Sequence, residues 1–176
     1  MIRILGIDPG SQRTGIGIID ADSNGASHFI HCETLSLLKA ESFPERMGLL
    51  AEALDRIIVE HRPQQVAVET VFMAKGAQSA LKLGQARGAA LATVVRAGLP
   101  VHEYAPRLIK QSLVGTGAAE KTQVQMMVAT LLRLEGRIQA DAADALAVAL
   151  THAHGNAHAT TRQLPPDWRG RRRGRR

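Results

Sequence analysis

The stretch that most limits what this chain can become is IRILGIDPGSQRTGIGIID, residues 2–20. Two short apolar runs flank a turn rich in Pro, Gly and Ser, and runs of that length between turn residues read as buried strands. Buried strands need covered faces, so the chain must supply helices to cover them. The Asn-Gly of DADSNGAS then signals a tight hairpin, with SHFIHCETLSL as its returning strand. Ser42 is a plausible cap for a helix over FPERMGLLAEALDRIIVEHRP, whose Leu50, Leu54, Ile57 and Ile58 fall at helical spacing and which stops before Pro63.

QQVAVET returns as a strand, and the polar loop VFMAKGAQS leads into the helix ALKLGQARGAALATVVRAG. VHEYAP is a short fifth strand. After it come a short helix around RLIKQSL, a loop VGTGAAEK, a helix TQVQMMVATLLRL and a last helix, QADAADALAVALTHAH. The expected fold is α/β, a mixed five-stranded sheet that includes an antiparallel hairpin, with helices on both faces.

The domain is expected over residues 1–154, followed by a basic tail at 155–176 that lacks apolar periodicity and reads as disordered. A hydrophobic content of 45% agrees with a folded core. Cys32 stands alone, which excludes an intrachain disulfide and fits a reducing, cytoplasmic setting. Neither a signal peptide nor an apolar run of roughly 18 residues, the length of a membrane span, is visible.

Charge is unevenly placed. The formal net charge of +6 comes from the tail, where seven arginines face Asp167 alone. Within the body, residues 20–69 carry net −5 and residues 71–121 net +5, so a polyanion would be met by the second half and the tail.

The chemistry concentrates in acids. Asp8 closes the first strand and Glu69 sits in the same way at the end of QQVAVET. Both therefore leave the C-terminal ends of apolar strands, where open α/β sheets place ligands. Asp141 and Asp144 lie three apart at the start of an apolar helix, where like charges on one face repel. Each acid alone could be a cap or a solvated side chain; Asp141 could simply serve the helix dipole. Four packed together need a compensating cation. An all-oxygen set suits magnesium or manganese, and two such ions ~4 Å apart serve phosphoryl transfer. His152 lies on the stripe of Asp141 but ~16 Å along the helix, too far to share a metal, and reads as a packed or surface histidine.

At this point GIDPGSQRTGIGIID, VAVETVFMAKGAQSALKLGQARGAAL, EYAPRLIKQSLVGTGAAEKTQVQMMV and QADAADALAVALTHAH resemble, in order and spacing, the RuvC-type Holliday junction resolvases. The likeness spans roughly residues 1–154 and includes loops that packing would not constrain. It implies a ribonuclease-H-like fold, a homodimer and magnesium-dependent, paired nicking of four-way DNA junctions in recombination and repair. The family also works with the RuvA and RuvB branch-migration proteins. Its four acidic positions fall on Asp8, Glu69, Asp141 and Asp144, as catalytic and metal-holding residues with two ions expected per site.

Phe72, beside Lys75, resembles the family's base-stacking aromatic, and an exposed aromatic there could stack on an unpaired base; the alternative is a Phe72 folded into the core. Lys110 and Lys121 match basic positions, as phosphate contacts or as solvated lysines. Lys82 and Arg87 join the candidate DNA-binding set through the positive segment that holds them. Ala77, Ala80, Gly84 and Gly88 form a small-residue stripe that suits either a dimer interface or packing on the domain's own sheet. The Arg-rich tail could add salt-sensitive affinity for DNA or serve as a docking segment.

Three rivals are weighed. A nuclease for RNA/DNA hybrids would share the metal acids but not need the VFMAKG loop or a two-fold dimer. A sugar-kinase or actin-like ATPase would need a second, similar domain, for which 176 residues leave no room. A catalytically idle DNA-binding module has no use for four converging carboxylates.

Overall fold

The computed structural model describes residues 1–22, 26–70, 76–136 and 138–159, with side chains as far as residue 155. Five strands form one sheet in the order β3-β2-β1-β4-β5. They are β1 (Ile2–Asp8), β2 (Arg13–Ala21), β3 (Ser27–Ser36), β4 (Gln65–Glu69) and β5 (Val101–Tyr104). β1, β2 and β3 pair antiparallel, whereas β4 runs parallel to β1 and β5 parallel to β4. The mixed sheet expected from the sequence is therefore present. The Asn-Gly turn of its hairpin lies outside the described residues.

Helices cover both faces. α1 (Phe43–His61) and α2 (Ala77–Arg96) pack on one side. On the other lie α3 (Pro106–Val114), α4 (Lys121–Leu132) and α5 (Ala140–Ala159). Strand alternation sorts the core: Leu5, Ile7, Ile16, Ile18, Val66 and Val68 face α1 and α2, while Ile4, Ile19 and Ala67 face α5. Because Asp8 follows Ile4 by an even step, and Glu69 follows Ala67 likewise, both acids point to the α5 side.

Local sequence explains the boundaries. Ser42 accepts from the Glu45 amide while the Glu45 side chain accepts from the Ser42 amide at 2.9 Å, a reciprocal cap that starts α1. Pro44 at the first turn lacks only a donor that would have been unpaired there. The Pro-Gly turn after Asp8 is tied by buried Thr14, whose hydroxyl donates to the Gly10 carbonyl at 3.2 Å and accepts from the Gly10 amide at 3.3 Å. α5 runs on past the boundary drawn at His154 to Ala159, and residues 160–176, including the Arg-rich end, lie outside the described residues. Among the described residues no helix is long and apolar enough to cross a membrane.

The most demanding contact is between α5 and the strands. A Cβ on Gly15 would overlap the Asp141 carbonyl, and one on Gly6 would overlap the Ala145 carbonyl. The helix backbone thus lies directly on the backbones of β1 and β2, closer than any side chain allows. On α5 itself, Ala142, Ala145, Ala149 and Ala153 are buried, so small residues on both partners permit the approach.

Gly15→Ala is expected to destabilise the domain by about 3 kcal/mol, because backbone rather than a side-chain tip blocks the added methyl. That corresponds to a Tm lowered by roughly 6–12 °C for a chain of this size. Gly48→Ala in α1, where nothing lies within 4 Å of the new methyl, is expected to raise Tm through helix propensity. Differential scanning calorimetry of the two variants checks both directions.

Candidate active site

The parallel register places Ile7 opposite Val68, so the next residues, Asp8 and Glu69, emerge side by side from neighbouring strand ends. α5 brings its first turns over the same end. One oxygen from each of Asp8, Asp141 and Asp144 lies within 4.8 Å of the others. Glu69 joins them through a hydrogen bond with Asp8. The structure therefore gathers all four acids singled out in the sequence. None is fully exposed, and an open cleft of about 340 Å³ is lined by Asp8, Glu69 and Asp144.

The electrostatics follow from that crowding. Burial first, then the charge of Glu69 and a hydrogen bond to it, push the Asp8 carboxyl up to about 8. Asp144 adds to the rise and Lys121 opposes it. Burial also raises Glu69, while the hydrogen bond from Asp8 works the other way. Burial and mutual repulsion thus raise the affinity of the Asp8–Glu69 pair for a proton. An oxygen-only donor set that retains a proton near neutral pH fits a hard divalent cation, which would replace the proton as the compensating charge.

Two lysines stand at the rim. Lys121, first residue of α4, forms an ion pair with Asp144. Partial burial disfavours the Lys121 charge, but hydrogen bonding and attraction to Asp144, Asp8 and Asp141 prevail and raise it. Lys110 of α3 also lines the cleft, and its charge acts on Glu69. Sequence reading missed the ion pair with Asp144 because it spans α4 and α5. It also missed the apolar wall of Pro106, Ile109, Val124 and Ala147. The only sequence signal for that wall was the apolar face of α3 and α4.

The remaining candidates sit elsewhere. Arg87 faces β5 from α2 and pairs with Glu103 at 2.7 Å, on the sheet face opposite the acids. Exposed Lys82 lies 5.9 Å from the centre of the Phe43 ring. Neither lines the cleft. Phe72 and Lys75 lie outside the described residues. His152 is fully buried, as a packed histidine should be.

A raised carboxyl means that the folded chain binds a proton the unfolded chain has released. Without divalent ions, stability should be greatest below the unfolded value near 4 and fall as pH rises through about 8. Asp8→Asn removes this loss. Thermal unfolding at pH 8.5 in chelator is expected to give the variant a Tm about 5 °C above the parent, with the difference vanishing at pH 4. A variant less stable than the parent at pH 8.5 would contradict this account of the site.

Comparison with known proteins places this geometry. The family model for crossover junction endodeoxyribonuclease RuvC matches residues 4–152. A crossover junction endodeoxyribonuclease RuvC of Stenotrophomonas maltophilia is 60% identical over 159 residues, covering 90% of this chain and 92% of that one. The structure of Thermus thermophilus RuvC superposes with a TM-score of 0.81 at 36% identity, covering 90% and 98% of the two chains. The same protein in complex with Holliday junction substrate gives 0.84 at 35% identity, covering 91% and 98%. With its ribonuclease-H-like sheet, its strand-end acids and this extent of identity, the chain belongs to the RuvC family of crossover junction endodeoxyribonucleases.

Proposed function

We propose that this chain resolves four-way DNA junctions by paired symmetric nicks, with Asp8, Glu69, Asp141 and Asp144 as a magnesium-dependent hydrolytic centre. The observation that carries the reading is the convergence of Asp8, Asp141 and Asp144 oxygens within 4.8 Å, with Glu69 bonded to Asp8, in a family of junction endonucleases.

In the reaction, water attacks phosphorus in line, the bond to the 3′ oxygen breaks, and that oxygen leaves with a proton. The products carry 5′-phosphate and 3′-hydroxyl ends that a ligase can seal. Asp8, on the central strand, would be the main metal-holding residue; Glu69 and Asp144 would complete the set, and Asp141 would help to hold the metal or orient the attacking water. Bound magnesium, for which manganese can substitute, supplies stabilisation of the charge that develops on the phosphate. Lys110 and Lys121 contact phosphate at the cleft rim. Lys121, paired with Asp144 at the cleft rim, would also be within the site that an incoming phosphate enters. Phe72 and Lys75, just beyond Glu69 in sequence, serve a base and a phosphate at the junction's open centre.

Paired cutting calls for two centres. The stripe of Ala77, Ala80, Gly84 and Gly88 is exposed on α2, whereas Ala86, Ala90, Thr93 and Val94 are the buried side facing the sheet. A Cβ added at Gly84 or Gly88 meets nothing within 4 Å, and Leu81 and Val95 beside them are 63% and 60% exposed. This supports a homodimer through α2, one centre per opposed strand. Partnership with RuvA and RuvB, cytoplasmic nucleoid location and a DNA-binding role for the Arg-rich tail complete the reading.

Cleavage of a synthetic junction, a linear duplex and an RNA/DNA hybrid, with and without magnesium, tests it. Symmetric nicks confined to the junction and dependent on magnesium are expected. Preferential cutting of the hybrid would overturn the substrate assignment. Asp8→Asn should lower cutting at least ~10³-fold, about 4 kcal/mol, while junction binding persists. For the dimer, Gly84→Arg is expected to sediment as a monomer with unchanged helical content and to lose paired cutting. A Gly84→Arg protein that remains dimeric would place the interface elsewhere.

A further inference from the structure

A part-buried polar chain centred on His152 links the three elements around Glu69. The Tyr104 hydroxyl lies 2.6 Å from His152 Nδ1, and His152 Nε2 lies 2.8 Å from Gln65 Oε1. The amide oxygen of Gln65 only accepts, so Nε2 carries the ring proton and Nδ1 accepts from the Tyr104 hydroxyl. His152 is 0% exposed, and burial, then the adjacent His102, lower it to about 4, so the ring is neutral at pH 7. The His102 ring packs against it with centroids 4.3 Å apart.

Each end of this chain touches the strands that carry the site. Gln65 opens β4, which closes with Glu69. Tyr104 stands opposite Glu69 in the β4–β5 register. Its carbonyl accepts from the Thr70 amide at 2.8 Å and from the Thr70 hydroxyl at 3.2 Å. The residue directly after Glu69 is therefore held by the residue that His152 holds. His152 itself belongs to α5, the helix that supplies Asp141 and Asp144.

We propose that His152 is a positioning residue that, through Tyr104 and Gln65, fixes the Glu69 end of β4 against α5 and so sets the spacing between the strand acids and the helix acids. The α5 contacts that exclude side chains involve β1 and β2, at Gly6, Gly15 and Gly17. His152 adds a polar tie to β4 and β5, which also meet α5 through packing at Ala67 and Tyr104. Hydrogen bonds supply it with a direction that apolar contacts lack. This inference rests on the four acids being the metal-holding centre.

The test measures Mn2+ binding to the junction-free protein by calorimetry, with junction cutting read separately. Tyr104→Phe keeps the ring and deletes only the hydroxyl; His152→Gln keeps a donor toward Gln65. Both are expected to weaken Mn2+ binding about ten-fold, as loss of groups that orient metal ligands does. The double variant should be no weaker than either alone. Leu54→Ala, in the core behind the other face, should lower Tm without moving Mn2+ affinity. Tyr104→Phe that folds and binds Mn2+ like the parent overturns the proposal, as do additive effects in the double variant. Failure of the parent to bind Mn2+ would instead overturn the metal-centre reading.

Discussion

The rest of the structure depends on the backbone contact between α5 and strands β1 and β2. A helix separated from a sheet by ordinary side chains sits about 10 Å above it. Here glycines on the strands and alanines on the helix remove that layer. The consequence is chemical. Short aspartate side chains from the helix reach the plane in which Asp8 leaves β1, and three carboxylates converge within 4.8 Å. The residues that fix this approach are those with least to bond, glycines and alanines.

The acid cluster is costly in isolation, and the protein offsets the cost with two substitutes for an external cation. One is the proton of the Asp8–Glu69 pair. The other is the Lys121 ammonium against Asp144. Both are removable charges, so a divalent cation could take their place. The site thereby combines order with the capacity to exchange its counter-charge.

Sequence and structure agree most closely where one residue type has few alternatives. The strands around Asp8 and Glu69, the cap at Ser42 and the two aspartates of α5 were all legible, since apolar runs between turn residues, a serine ahead of a helical apolar pattern and an acid pair in an apolar helix each have short lists of explanations. Less legible were contacts between distant segments. Lys121 was recognisable as a basic position, but its partner lies on another helix. Arg87 belonged to a positive segment, yet its charge is committed to Glu103 across the opposite face. Two roles fitted the α2 glycine stripe on paper; its exposure excludes packing on the domain's own sheet, because the sheet-facing side of that helix is the one bearing Ala86, Ala90 and Val94.

By itself, the sequence singled out the four acids proposed to carry the chemistry, the strands that lie in the core and the family the chain resembles. These follow from residue type, local spacing and order along the chain. Tertiary structure alone decided the separation of the acids, the raised proton affinity of Asp8, the pairing of Lys121 and the hydrogen bonds of His152 with Tyr104 and Gln65. Each depends on distances between segments far apart in the chain. Coulomb energies, desolvation and hydrogen bonds vary steeply with those distances, whereas a periodic pattern constrains only the face on which a residue lies.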